Sequence, residues 1–162
     1  MATVVAAPRA AVWDALADPE QIGRWRPGVR ETLHAPVRSP SRGRQLRFRC
    51  LLKGVPVMLE ETTLEVVPGE RLRSEARLGL FHFEETFSIT AADPDGGHTR
   101  VGLRIAAPSE APLVGAILDR FAVRRFATEL AATYLHALRD WCELGRPPAL
   151  PLPELVTARE VR

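Results

Sequence analysis

Between about Val29 and Ala107 apolar and polar residues alternate with a period of two, and no other feature constrains the fold as much. The runs "RQLRFRCLL" (44–52) and "VPVMLEETTLEVV" (55–67) flank Lys53-Gly54, the length of a two-residue hairpin turn. "RLRSEARL" (71–78) and "FHFEETFSITA" (81–91) meet around Gly79, and Asp93-Pro94-Asp95-Gly96-Gly97 forms the next turn. Five or six consecutive antiparallel strands are predicted. No helix is spaced between them as a parallel sheet would need.

Alternation also assigns faces, because successive side chains on a strand point to opposite sides. With Gly79 in the turn, Ala76 pairs with Phe83, Ser74 with Glu85 and Leu72 with Phe87. Those six residues then share a concave, core-side face with Leu78, Phe81 and Ile89, while Arg71, Arg73, Glu75, Arg77, His82 and Glu84 face solvent. Around Lys53-Gly54, Arg47 lies opposite Glu60 and Arg49 opposite Met58 on the solvent face; Leu46, Phe48, Cys50, Val57 and Leu59 lie on the core face. Farther along, the apolar parity changes from odd (Val55, Val57, Leu59) to even (Leu64, Val66), which requires an extra residue. A β-bulge is therefore predicted near residues 60–63, able to turn Glu61 or Thr62 inward; the alternative is that Leu64 begins a more twisted segment.

Helical signals flank the strands. Val12, Ala15 and Leu16 form an apolar stripe after Ala7-Pro8; Asp18 reads as an N-cap before Pro19, with Ile22 and Trp25 on the second helix's apolar face and Pro27-Gly28 ending it. From Pro112 to about Leu144, Ile117, Phe121, Phe126, Leu130, Tyr134, Leu138 and Trp141 recur at helical spacing, with Gly145 suited to the C′ position. The proline-rich segment 146–162 reads as an extended tail.

Composition narrows the function classes. The net charge is +2, and the 22 basic residues are spread among 20 acidic ones, so there is no concentrated footprint for nucleic acid. No run approaches the ~18 apolar residues of a membrane span, and the N-terminus lacks a signal-peptide pattern. Cys50 and Cys142 fit no metal spacing and read as reduced thiols of a cytoplasmic protein. His34, His82, His98 and His136 share no metal-ligand spacing, and Ser74 has no recognisable histidine partner for a hydrolytic triad. No metal or cofactor is expected.

The head of the chain, with Ala7, Pro8, Val12, Trp13, Leu16, Asp18, Pro19, Trp25 and Pro27, together with "EVVPGERLR" (65–73), resembles the START-like (SRPBCC) superfamily, most closely its polyketide cyclase/dehydrase and lipid-transport group. The resemblance implies an α+β helix-grip fold: a curved antiparallel sheet of about six or seven strands wrapped around a long C-terminal helix, two short helices after the first strand, and an apolar cavity between sheet and helix. It divides the chain into a ligand-binding domain (1–145) and a tail (146–162). Only Met1 to Ala7 precede Pro8, so either the first strand is short here or the start of the sequence lies too far downstream. A short edge strand would favour pairing with another chain and leaves a homodimer open.

On this frame Trp13 and Trp25 read as scaffold, wedging the helix pair against the sheet, with ligand contact as the alternative. Glu85 is the unexpected residue: a carboxyl group on an otherwise apolar face, where desolvation would raise its pKa unless an arginine or hydrogen-bond donors compensate. It is a candidate orienting acceptor or general acid/base; the competing readings are an ion pair with Arg120, Arg124 or Arg125, or a rim position open to water. The candidate ligand-lining residues on the strands are Phe48, Leu59, Glu61, Ser74, Ala76, Phe83, Glu85, Phe87 and Leu103, joined by Ile117, Phe121 and Tyr134 from the helix, where core filling is the alternative for Tyr134. Three functions compete: a carrier of an apolar small molecule such as a lipid, isoprenoid or polyketide; a polyketide cyclase, aromatase or dehydratase; and an accessory protein that binds a protein partner.

Overall fold

The computed structural model describes residues 1–52, 54–79, 81–106, 120–146 and 152, the first four of α3 without their side chains. In chain order the elements are β1 (Ala2–Val5), α1 (Arg9–Ala17), α2 (Pro19–Trp25), β2 (Val29–His34), β3 (Gln45–Leu52), β4 (Val55–Val67), β5 (Arg71–Leu78), β6 (Phe81–Ala91), β7 (Thr99–Ala106) and α3 (Arg120–Leu144). The seven strands form one sheet in the order β1-β7-β6-β5-β4-β3-β2, every neighbouring pair antiparallel. Strands β2 to β7 are thus a meander, and β1 closes onto β7 at the far edge.

The predicted registers hold. Ser74 meets Glu85, Ala76 meets Phe83 and Leu72 meets Phe87. Arg47 meets Glu60 and Arg49 meets Met58. The bulge exists at the end of the predicted stretch: Thr63 pairs with Ser74 and Glu65 with Arg73, leaving Leu64 as the extra residue. As a result Glu61 and Thr63 point inward and are buried, whereas Thr62 stays on the outer side opposite Glu75, correcting the expectation for Thr62.

The short helices begin as their caps dictate. Asp18 accepts the Glu20 N–H at 2.9 Å and Pro19 occupies the first position of α2, where its missing N–H costs nothing. Pro8 precedes α1 in extended conformation, with no side-chain cap. At the other end of the chain Gly145, at φ +62, donates its N–H to Trp141 and stops α3. The predicted helix segment 112–119, including Ile117, lies outside the described residues, as do the turn residues Lys53 and Leu80.

Helix α3 supplies Phe126, Leu130, Ala131, Tyr134, Leu135, Ala137 and Leu138 to one core shared with the inward residues of the sheet. Phe81 stacks on Phe126 at one end, with ring centroids 5.1 Å apart. At the other end the Trp141 indole donates to Gln21 of α2, and Glu143 accepts the Ala6 N–H. Trp13 and Trp25 both pack as scaffold. The buried Trp25 donates from Nε1 to the Ala15 carbonyl at 2.7 Å and stands edge-on to Phe87 and Tyr134, and the partly buried Trp13 packs against the same core. One residue of the C-terminal segment joins them: Leu152 is buried against Gly28, just after α2.

Candidate functional site

On the inner face of the sheet four polar residues lie in one row, three on β4, β5 and β6 and one, Arg44, just before β3. The Arg44 carbonyl accepts the Thr63 N–H at 2.9 Å, Thr63 pairs with Ser74, and Ser74 with Glu85. Glu61 sits two residues from Thr63 on the same face of β4. All five side chains are buried, as is that of Arg26, the residue that caps α2 at its C-terminal end. Trp25, Arg26 and Pro27 occupy successive positions here. Trp25 anchors the helix end in the core, so the next side chain is delivered over the sheet.

The Arg26 guanidinium spans the two carboxylates. Its Nη1 donates to Glu61 Oε2 at 2.5 Å, and its Nη2 donates to both oxygens of Glu85, 2.5 Å from Oε2. The Tyr134 ring of α3 lies beneath the same group, 4.7 Å from guanidinium carbon to ring centroid. Arg44 is held separately: its Nη1 donates to the carbonyls of Ala17, the last residue of α1, and of Arg38, at 2.8 and 2.9 Å.

Two opposing effects decide the charge state. Burial pushes Glu85 up, Arg26 pulls it down and Glu61 adds repulsion; burial wins, placing the group at about 7 instead of 4.5. Burial also works against the Arg26 charge, but Glu85, Tyr134 and Glu61 outweigh it and hold the guanidinium well above its ordinary value. Desolvation raises the Tyr134 hydroxyl to about 12 and the nearby Cys50 thiol to about 11, so both stay protonated at neutral pH. Burial lowers Arg44, with Glu61 and Asp18 opposing. The interior therefore holds a fixed cation beside a carboxyl group that burial lifts well above the ordinary carboxylate range. Exposed pairs such as Arg47–Glu60, 3.3 Å apart, contribute at most about 1 kcal/mol each; removing one member of a buried cluster costs about 3–5 kcal/mol.

Every described side-chain polar atom that is sealed from solvent without a hydrogen-bond partner belongs to this assembly: Arg26 Nε, Arg44 Nε and Nη2, Thr63 Oγ1 and Ser74 Oγ. Such atoms are rare in folded interiors because each forfeits its hydration. Here they are concentrated in one place.

Of the residues selected from the sequence, Glu61, Ser74, Glu85 and Tyr134 come together in this cluster. Phe48, Leu59, Ala76, Phe83, Phe87 and Leu103 are buried apolar neighbours on the same inner face. Ile117 and the side chain of Phe121 lie outside the described residues. Glu85 has an arginine partner as one reading required, but the partner is Arg26, not an arginine of α3: Arg124 is exposed and Arg125 pairs with Glu129. Arg120 lies outside the described side chains. Glu85 is buried, so it is no rim residue. Sequence reasoning missed Arg26 and Arg44. The signal for Arg44 was its even parity with Leu46 and Phe48, one step upstream of the strand; for Arg26 it was the unbalanced charge of two inward glutamates.

Other features lie elsewhere. Two open hollows, of about 400 and 490 Å³, are lined respectively by residues such as Arg9, Glu70 and Thr90 and by Glu65, Arg73 and Arg104. Neither hollow includes a member of the cluster. Among the described residues no group of His, Cys, Asp and Glu is arranged to hold a metal, and no helix is long and apolar enough to cross a membrane.

A seven-stranded antiparallel sheet, a long C-terminal helix packed on its inner face and two short helices after the first strand define a START-like helix-grip domain. Residues 1–143 match the family model for polyketide cyclase / dehydrase and lipid transport, and the chain belongs to that family. Solved structures with the same fold include a START superfamily protein from Mycobacterium smegmatis, 20% identical, covering 88% of this chain and 94% of that one at a TM-score of 0.66. DynU16, a putative protein in the dynemicin biosynthetic locus, is 18% identical with a TM-score of 0.63; the alignment covers 91% of this chain but 47% of DynU16. The Aha1 dimer from Colwellia psychrerythraea is 16% identical over 90% of this chain and 95% of that one, with a TM-score of 0.58. At these identities the likeness shows the fold alone. Comparison with curated protein sequences gives no match.

Proposed function

We propose that the protein binds a hydrophobic small molecule of lipid, isoprenoid or polyketide type between the inner face of the sheet and α3, with the molecule's polar end at the Arg26–Glu61–Glu85 cluster. The observation that carries this reading is the concentration of unpartnered buried polar atoms at one spot in an apolar core. An apolar site with a few convergent polar groups is the usual design for small-molecule binding. Phe48, Leu59, Ala76, Phe83, Phe87 and Leu103 supply the apolar wall, and Tyr134 faces them from α3. Membership of a family that includes lipid transport supports the same reading.

Native mass spectrometry of freshly purified protein, followed by denaturing extraction, tests it. A stoichiometric apolar adduct is the expected result. A clean apo mass that persists after incubation with lipid and polyketide-like extracts would refute it.

One observation favours a second reading, catalysis on a bound chain. Glu85, at about 7, is matched to proton exchange at neutral pH, and Arg26 fixes its position. In that case Glu85→Gln abolishes turnover of a bound polyketide-type chain without abolishing its binding. Unchanged turnover in that variant would remove Glu85 as the acid/base.

A further inference from the structure

The unpartnered atoms carry chemical information beyond their location. Three are arginine nitrogens, Arg26 Nε and Arg44 Nε and Nη2, which only donate. The other two are the hydroxyls of Thr63 and Ser74, each able to donate one hydrogen bond and also to accept, so three of the five atoms are donors only. The neighbouring carboxylates face the other arginine: both Glu85 oxygens accept from Arg26, and Glu61 Oε2 accepts from the same guanidinium. None of the five is an acceptor-only atom. The surplus in this interior is a surplus of donors.

The donors also form a seat. Arg44 and Thr63 are joined by a backbone hydrogen bond of 2.9 Å, and Ser74 is the next residue across the sheet. Arg44 cannot swing away to find water, because its Nη1 is tied to Ala17 and Arg38. Two arginines and two glutamates bring the cluster close to neutrality, so it presents directed N–H and O–H groups more than net charge.

From this we infer that the polar end of the ligand is a hydrogen-bond acceptor that carries no donor, a carboxylate or a ketone, seated between Arg44 and the Thr63–Ser74 pair. The inference rests on the binding reading above. A hydroxyl or amine head would bring further donors to a site already rich in them. A carboxylate or ketone oxygen accepts two or more of them at once, and a site built to meet one polar pattern rejects a ligand of the opposite pattern strongly.

The test is isothermal titration calorimetry with four amphiphiles of one alkyl chain length, ending in a carboxylic acid, a methyl ketone, a primary alcohol and a primary amine. The acid or the ketone is expected to bind about tenfold or more tightly than the alcohol, with the amine weakest. Repeating the titration in buffers of different ionisation heat separates the two favoured sources. Proton uptake with the acid ahead identifies a carboxylate; no proton uptake with the ketone equal or ahead identifies a ketone. Thr63→Val preserves shape, removes one donor and leaves the Arg44 anchor intact, so it should narrow the acid-to-alcohol ratio severalfold. Arg44→Gln should narrow it further, with circular dichroism confirming that each variant is folded. Equal affinity for all four heads, or a Thr63→Val protein with an unchanged ratio, would overturn the inference while leaving the apolar binding site standing. Failure of all four to bind would overturn both.

Discussion

Replacing Glu85 with glutamine should flatten one component of the protein's pH-dependent stability. In the folded chain burial holds this group at about 7, against an ordinary value of 4.5. The folded state thus keeps a proton that the unfolded state releases as pH rises above 4.5. The associated stability is fully present below that pH, is lost progressively through about pH 7, and changes no further once both states are ionised. At about 1.4 kcal/mol per pH unit the whole effect is about 3 kcal/mol. Glutamine imitates the protonated carboxyl and does not titrate, so the variant lacks this slope. Urea denaturation followed by tryptophan fluorescence from pH 4.5 to 8.5, comparing wild type with Glu85→Gln, isolates the effect because other titrating groups largely cancel. The stability difference should shift in favour of the variant by about 3 kcal/mol over that range. At a typical slope of about 2 kcal/mol/M this is about 1.5 M in midpoint. A constant difference would mean that Glu85 ionises normally in the fold. A shift in favour of wild type would mean that Arg26 outweighs burial, and the account of the cluster's charge would be wrong.

Arg26→Met should destabilise the protein by about 3–5 kcal/mol at pH 8, since it leaves two buried carboxyl groups without their cation; adding Glu61→Leu and Glu85→Leu should restore most of the loss, read from the same urea transitions. Gly28→Ala should cost about 1–3 kcal/mol in thermal melting, because φ is +79 and a Cβ there would lie 2.5 Å from Leu152 Cδ1; Leu152→Ala should recover the steric part only. Asp18→Ala should cost about 1 kcal/mol by loss of the α2 cap, measured as a drop in melting temperature.

What could be read from the sequence was whatever is local or periodic. A two-residue turn fixes a hairpin's register, so Ser74 opposite Glu85 and Arg47 opposite Glu60 followed directly from turn placement. The caps of α2 and α3 were legible for the same reason: Asp18 and Gly145 act within a few residues of themselves. The partner of Glu85 was not. Arg26 is 59 residues away, and the chain offers 22 basic residues, so only the path of the backbone after Trp25 selects among them. The bulge was predicted from its consequence, a change in apolar parity. That change is equally compatible with an extra residue anywhere between Leu59 and Val66, and the inward polar residues Glu61 and Thr63 gave no apolar signal to narrow the interval.

That extra residue at Leu64 acts like a frame shift along β4. Upstream of it odd-numbered positions face the interior, downstream even-numbered ones, and the strand keeps both halves in phase with β5 through a single insertion. Substitutions along β4 are read one position at a time, each with its own local cost. Removal of one residue at the bulge is different in kind. It would restore plain alternation, with Thr63 opposite Ser74 followed directly by Glu65 opposite Arg73, whereas loss of a residue anywhere else in β4 would turn one half of the strand over. Away from Leu64, the length of this strand is therefore under tighter constraint than the identity of most of its residues.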